Sequence, residues 1–143
     1  MRLVLDTAAI VAAIRSDAGA SRRLLQAALQ GESVTLLVSV PLLIEYEAVM
    51  TRPEHLRAAG LTAAEVNTLL DAVAAVAEPV RLAFLWRSLL PDIDDDMVLE
   101  TAVNGRADGI VTFNRRDFAP AERLFGIAAL SPAEALRRLE KGK

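Results

Sequence analysis

Short apolar runs rich in β-branched residues alternate with helical segments along this chain of 143 residues. Such alternation is typical of an α/β fold, in which helices return the chain between neighbouring parallel strands. Strands are predicted at residues 3–6, 34–39, 80–84, 109–113 and 127–130. The sequence therefore predicts one α/β domain built around a parallel sheet.

Helices are bounded by recognisable start and stop signals. Thr62 and Glu65 have the spacing of a capping box and begin an amphipathic helix that ends before Pro79. Ser131 and Glu134 repeat the signal near the C-terminus. Further helices are predicted at residues 8–15, 21–29, 41–50 and 97–103.

Composition restricts the chemistry that is open to the chain. Cysteine is absent, which excludes disulfides and thiolate metal sites, and His55 is the only histidine, which disfavours zinc. The longest apolar run, residues 34–44, is too short to span a bilayer, and no secretory signal is recognised. We expect a soluble, cytoplasmic protein with no membrane partner, in which residues 1–139 form one domain and residues 140–143 a frayed tail.

Acidic side chains follow the predicted strands or open the helices after them. Asp6 ends the first strand, and Glu45 lies in the helix after the second. The other candidates are Asp92, Asp94, Asp95 and Asp96 at the start of one helix, and Asn114 and Asp117 after a later strand. The carboxyl ends of parallel strands line one crevice, so these acids should meet there and repel one another unless a cation lies between them. Oxygen ligands of this kind predict Mg²⁺ or Mn²⁺.

Most of these residues also have an ordinary structural explanation. Asp6 could cap the next helix, and aspartates are favoured in a first helical turn. Glu45 is harder to explain, because its helix looks apolar on most sides and a glutamate there needs a partner or an ion. His55 is interpreted as a surface residue. Arg115 and Arg116 are ordinary surface charges, unless they hold a phosphodiester beside the acids.

The order and spacing of these segments resemble the PIN-domain nucleases, in particular the PIN-type toxins of bacterial and archaeal toxin–antitoxin pairs. The similarity covers nearly the whole chain and is carried by residues 5–7 (LDT), 39–46 (SVPLLIEY), 51–53 (TRP), 92–102 (DIDDDMVLETA), 107–118 (ADGIVTFNRRDF) and 125–127 (FGI). It implies a three-layer α/β/α sandwich with a central, mostly parallel sheet. It also implies an endoribonuclease that binds Mg²⁺ or Mn²⁺, is held inactive by a protein antitoxin and forms a homodimer.

Carried over motif by motif, the resemblance assigns the first metal-binding acid to Asp6 and the second to Glu45. Asp95 best matches the third, because an alanine follows it seven residues later, as in the family. Asp92 and Asp96 are alternatives for the third position. The predicted metal ligands are therefore Asp6, Glu45, Asp95 and Asp92.

The chain departs from the family pattern at two positions. Asn114 stands where a fourth acid is usual, so either Asp117 replaces that acid or Asn114 contributes a neutral oxygen. Ala8 stands where an asparagine is common. The resemblance thus adds Asp117 and Asn114 to the catalytic set. A bound divalent ion would activate a water for attack on the phosphate, so no side-chain nucleophile is required.

Two other functions remain as alternatives. The departures at Ala8 and Asn114 favour a catalytically weak or inactive PIN-fold module that binds RNA or protein without cutting. A phospho-acceptor receiver domain also places acids at strand ends, but it needs an acidic pair after the first strand and a lysine after the last. Here only Asp6 follows the first strand, and both lysines, Lys141 and Lys143, lie in the tail.

Overall fold

The computed structural model describes residues 1–16, 19–84, 90 and 95–142. Its five described strands form one all-parallel sheet, which confirms the predicted α/β class and the three-layer α/β/α arrangement. The strands are β1 (Arg2–Leu5), β2 (Thr35–Val38), β3 (Glu78–Pro79), β4 (Gly109–Val111) and β5 (Ala128–Leu130). The helices are α1 (Thr7–Arg15), α2 (Ala20–Leu29), α3 (Val40–Met50), α4 (Pro53–Ala59), α5 (Ala63–Val76), α6 (Asp96–Asn104), α7 (Ala119–Phe125) and α8 (Pro132–Lys141), with a 3₁₀ helix at Arg115–Phe118.

The order of the strands places one crevice at the centre of the sheet. The strands lie in the order β3-β2-β1-β4-β5, so the chain passes from β1 to β2 and β3 on one side and then crosses to β4 and β5 on the other side of β1. Leu3, Val4 and Leu5 of the central strand are completely or almost completely buried, as expected where helices cover both faces. In a doubly wound sheet the ligand crevice lies where the strand order reverses, at the carboxyl ends of the strands. Here that point lies between β1 and β4.

The capping signals read from the sequence are present in the structure. The Thr62 side chain accepts a hydrogen bond from the Glu65 amide, and the Glu65 carboxylate accepts one from the Thr62 amide. Ser131 and Glu134 form the second capping box, at the start of α8. Satisfying otherwise unpaired amides at a helix start stabilises it. Both predicted starts are therefore confirmed.

The predicted strand at residues 80–84 is wrong. The strand that pairs with β2 is β3, and the Val80 amide donates the last hydrogen bond of that pairing, to the Val38 carbonyl at 2.7 Å. Beyond it the Asn104 side-chain oxygen accepts hydrogen bonds from the amides of Ala83, at 3.1 Å, and Phe84, at 3.0 Å. Because a side chain from α6 binds these amides, they are not available to a strand ladder.

Two short helices, α4 and α7, were not predicted. Pro53 was interpreted as the end of α3, whereas it also occupies the first position of α4, where a proline costs no hydrogen bond. No residue of α4 is fully buried, so its sequence lacks the apolar periodicity that reveals longer helices. At the C-terminus, α8 continues to Lys141, and Arg23 pairs with Glu140 at 3.0 Å, so the helix extends into the segment expected to be frayed.

Among the described residues, no single helix is long and apolar enough to cross a membrane. The pair α4 and α5 reaches the required length and composition only when the two are taken together, and they are bent by 83°.

Candidate active site

A cleft of about 420 Å³ opens at the carboxyl ends of β1 and β4. Its lining includes five of the residues predicted from the sequence, namely Asp6, Glu45, Asp95, Asn114 and Asp117. They come from the ends of β1 and β4, from α3 and from the start of α6. The fold thus brings together side chains from four separate parts of the chain.

Asp6 combines a structural position with a place in the cleft. Its carboxylate accepts a hydrogen bond from the Ala9 amide at 2.8 Å, so it caps α1, and it accepts another from the Thr112 hydroxyl. The side chain is only 6% exposed. Burial raises the pKa of Asp6, and the hydrogen bonds from Thr112 and Ala9 act in the opposite direction. A cation in the cleft would therefore offset an unfavourable desolvation of this charge.

Glu45 is placed by the residue that follows it. Tyr46 is buried, and its hydroxyl donates a hydrogen bond to the Leu5 carbonyl at 2.5 Å, which fixes α3 against the end of β1 beside Asp6. Glu45 itself is half-buried and lines the cleft. The apolar neighbours of Glu45 predicted that little of α3 faces solvent, and this is wrong, since Val40 and Ile44 are well exposed.

The aspartate cluster is described only from Asp95 onwards. Asp95 occupies the N-cap position of α6 without capping it and lines the cleft. Asp96 is fully buried and does not belong to the cleft lining. Asp95 is therefore the better placed of these two candidates for the third acid. Asp92 and Asp94 lie outside the described residues, and the role of Asp92 as a ligand stays a prediction.

The chain turns sharply after β4 and presents Asn114 and Asp117 to the cleft. The Thr112 hydroxyl accepts a hydrogen bond from the Asn114 amide at 2.9 Å, and the Asn114 carbonyl accepts one from the Asp117 amide at 3.1 Å. Turns of this kind are typical for threonine and asparagine. Arg115 points elsewhere, because its guanidinium donates to the Ala129 carbonyl at 3.1 Å and pairs with Glu134 at 2.9 Å.

Among the lining residues that were not predicted as parts of the site, three are basic or aromatic. Arg52 and His55 lie at the start of α4, and His55 Nδ1 is 3.3 Å from a guanidinium nitrogen of Arg15. Phe113 follows β4 and is 60% exposed. Recognising Pro53 as the first residue of a helix would have placed Arg52 and His55 one turn apart on a common face. The sequence gives no comparable signal for Phe113.

A sequence profile of the PIN domain matches residues 2–116. This chain belongs to the PIN-domain family. Members of this family are generally nucleases that use divalent metal ions. A chain in the crystal structure of VapBC2 from Rickettsia felis, bound to a DNA fragment from the promoter, has a similar fold, with a TM-score of 0.56 and 15% identity over 92% of this chain and 98% of that chain. No curated protein matches the sequence.

The donor atoms of this PIN domain suit a hard divalent cation. The cleft offers four carboxylates and one amide, and oxygen atoms are the preferred ligands of Mg²⁺ and Mn²⁺. Within the described part of the chain, no three acidic or histidine side chains are close enough together to hold an ion by themselves. Mg²⁺ is commonly held by one or two carboxylates while it keeps several waters. The arrangement therefore fits a partly hydrated ion better than a closed protein cage.

Proposed function

We propose that this PIN domain is a Mg²⁺- or Mn²⁺-dependent endoribonuclease that hydrolyses phosphodiester bonds of RNA. The observation that carries the proposal is the meeting of four carboxylates and one amide in a single cleft at the switch point of the sheet. Membership of a family of nucleases supports the reaction class. RNA as the substrate and the choice of metal are our inference.

Each side chain of the cleft has a role in this proposal. Asp6, Glu45 and Asp95 would hold the ion, some of them through waters that the ion keeps, with Asp92 as a further ligand, and Asp117 and Asn114 would complete the set. When bound, a divalent ion supplies charge stabilisation at the phosphate and lowers the pKa of an attached water.

The environment of Asp6 and the basic side chains support these roles. The hydrogen bonds from the Ala9 amide and the Thr112 hydroxyl hold the Asp6 carboxylate in a fixed orientation before substrate binds. Arg52 and His55 line the same cleft and would contact the negatively charged strand.

The biological role that we infer is that of the toxin in a toxin–antitoxin pair. The fold shared with a chain of the VapBC2 structure supports this role. A protein antitoxin would then cover the acidic cleft until it is removed. A homodimer and a cytoplasmic location are further parts of the proposal. Co-purification of the protein with the product of a small neighbouring gene would test the antitoxin.

The catalytic proposal is tested by incubating single-stranded RNA with the purified protein in Mg²⁺, in Mn²⁺ and in a chelator. We expect cleavage only with metal, and a loss of at least about 100-fold in Asp6→Asn and Glu45→Gln, since even residues behind metal ligands cost 10–100-fold. Glu47→Gln is the matched control, because Glu47 is exposed on the same helix and does not line the cleft. Equal loss in Glu47→Gln, or cleavage in the chelator, would contradict the proposal.

A catalytically inactive binding module is the second candidate. It is favoured by Asn114, which stands in the cleft where the family usually has an acid, and by the absence of a ready-made group of three ligands among the described residues. Binding of RNA without metal-dependent cleavage would establish it. The variant Asn114→Asp sharpens the test, because restoring the acid should increase cleavage if the chemistry is weak rather than absent.

A further inference from the structure

Phe113 has a solvent-exposed aromatic side chain on a backbone segment that is held by hydrogen bonds. The residue is 60% exposed, although the backbone amides of both neighbours in sequence are hydrogen-bonded. Thr112 is buried and its amide donates to the Leu130 carbonyl at 2.8 Å, while the Asn114 amide donates to the Thr112 hydroxyl at 2.9 Å. A fixed backbone presents the ring without the entropic cost of ordering a loop.

The ring borders two adjoining spaces. Phe113 lines the acidic cleft, and it also lines a neighbouring, mostly apolar depression of about 280 Å³. The walls of the depression are formed largely by small side chains from the end of α1, the start of α2 and the start of α8. Ser21 belongs to this wall, and its hydroxyl makes no hydrogen bond within the part of the chain that the structure describes. One aromatic side chain thus borders both spaces.

We propose that Phe113 is a stacking platform for an unpaired base of the strand whose phosphate lies in the acidic cleft. The inference rests on the proposed function, and it adds that the substrate is unpaired where it crosses Phe113. A strand that passes from the cleft into the depression carries charged phosphates and flat apolar bases. The ion held by the carboxylates would bind the phosphate, and the base would stack on the exposed ring and occupy the depression.

Stacking of this kind selects for single strands and not for a particular sequence. Every base has a face that can stack on an aromatic ring, whereas a base inside a duplex has both faces covered by its neighbours. Loss of one aromatic platform typically weakens binding of a single strand by roughly 5- to 150-fold. The expected phenotype of Phe113 variants is therefore weaker binding of single-stranded RNA, with no effect on duplex RNA.

The first experiment measures the affinity of the full chain for a short, fluorescent single-stranded RNA of mixed sequence, with Ca²⁺ in place of Mg²⁺ to limit turnover. We expect Phe113→Ala and Phe113→Leu to weaken binding within the range above, and Phe113→Trp to retain it. Phe84→Ala is the matched control, because Phe84 is 67% exposed but does not line the cleft or the depression. Unchanged affinity in Phe113→Ala, or equal loss in Phe84→Ala, overturns the inference.

A second experiment identifies the base that contacts the ring. We would prepare a series of RNAs of the same sequence, each with a single abasic position at a different place along the strand. The affinity of each RNA is measured for the wild type and for Phe113→Ala. If Phe113 stacks on a base, the abasic position that weakens binding to the wild type should have no further effect in Phe113→Ala. Additive losses at every position mean that the ring and the base act independently, and they overturn the inference.

The outcomes separate this inference from the proposed function. Weaker binding in Phe113→Ala without any cleavage by the wild type in either Mg²⁺ or Mn²⁺ supports the stacking platform and rejects the nuclease. Metal-dependent cleavage with the same KM in Phe113→Ala supports the nuclease and rejects the platform. If Phe113→Ala weakens only the capture of a protein partner, the ring belongs to a protein interface and the platform is rejected. No binding of RNA by the wild type rejects both.

Discussion

The carboxylate of Asp6 accepts hydrogen bonds from the Ala9 amide and the Thr112 hydroxyl while it lines the cleft. Burial raises the pKa of this group, so these two hydrogen bonds do not fully compensate for the lost hydration of the ionised form. A neutral side chain of the same shape could cap α1 equally well. An ionised residue at this position is therefore unfavourable for folding alone, which is the pattern expected of a residue retained for chemistry.

Asp6→Asn should make the protein more stable at neutral pH when no divalent ion is present. Because the pKa of Asp6 is raised in the folded state, the folded protein binds its proton more tightly than the unfolded chain does. Stability of the wild type therefore falls as the pH rises from the ordinary carboxyl range, about 3.9, through the raised value. Asp6→Asn lacks this titration, so its advantage should grow over the same interval.

Urea unfolding at a series of pH values in a chelator measures this difference. The two proteins should have nearly the same free energy of unfolding at the acidic end of the series, and the variant should be the more stable at neutral pH. A variant that is less stable than the wild type by the same margin at every pH would show that Asp6 serves only the fold.

Tyr46 positions Glu45, the residue before it, and removing the Tyr46 hydroxyl should lower the free energy of unfolding. Its buried hydroxyl donates to the Leu5 carbonyl at 2.5 Å, so Tyr46→Phe leaves a buried carbonyl without that donor. The expected loss is about 1–3 kcal/mol in the free energy of unfolding. Thr68→Val is the control, since it removes an exposed hydroxyl that donates to the Ala64 carbonyl, and it should cost no more than about 0.5 kcal/mol. Equal effects of the two variants in urea unfolding would contradict this role of Tyr46.

The helices that carry the second and third acids are joined directly. Ser39 precedes α3 and caps it, and its hydroxyl is hydrogen-bonded to that of Thr101 on α6 at 2.8 Å. Both side chains are buried. The bond connects the start of the helix that carries Glu45 with the helix that follows Asp95. The relative position of these two acids is thus set by a contact between elements.

A double-mutant cycle on Ser39→Ala and Thr101→Val should detect this bond. We expect a coupling of about 0.5–1.5 kcal/mol in the free energy of unfolding, since the bond is buried and joins two neutral hydroxyls. In the nuclease assay each single variant should reduce the rate, because the distance between Glu45 and Asp95 is no longer fixed. Strictly additive stabilities would show that α3 and α6 are held together by their apolar contacts alone.

Elements with local signals were predictable, whereas those defined by distant contacts were not. The helix that begins at Thr62 was predicted because its capping box is encoded within four residues. The strand at residues 80–84 was wrong because Asn104, from a later helix, binds the amides concerned. The helix α4 was missed because it is short and largely exposed, and with it Arg52 and His55 were missed.

At the scale of the whole molecule, the acids could be predicted to meet but the rest of the cleft could not. Strand ends in a parallel sheet share one edge, so the pattern alone predicted that Asp6 and Asn114 lie near each other, and both line the cleft, while their roles stay a prediction. The basic and aromatic lining depends on how α4 packs and on the turn after β4, which no periodicity encodes. The chain has a net charge of −3, so binding of a polyanion must depend on this local arrangement.

RNA binding should therefore need a divalent ion and depend only weakly on salt. Within the described residues, Arg52 and His55 are the basic side chains that line the cleft, which corresponds to one or two phosphate contacts. For a single strand each contact contributes about −0.7 to the slope of log K against log salt, so the slope should lie between about −0.7 and −1.4. Arg52→Ala should make the slope shallower by about 0.7. Arg57→Ala, on the exposed part of the same helix, should leave it unchanged.

Titration of labelled RNA at several KCl concentrations, with and without a fixed concentration of Ca²⁺, measures both effects. Without the divalent ion the carboxylates of the cleft repel the phosphate, so affinity should fall for the wild type and for both arginine variants. A slope steeper than about −3 would mean that more basic side chains contact phosphates than the cleft contains. RNA would then bind to another surface. If the affinity does not depend on Ca²⁺, the phosphate does not lie near Asp6, Glu45 and Asp95. Any cleavage would then also take place away from these three residues.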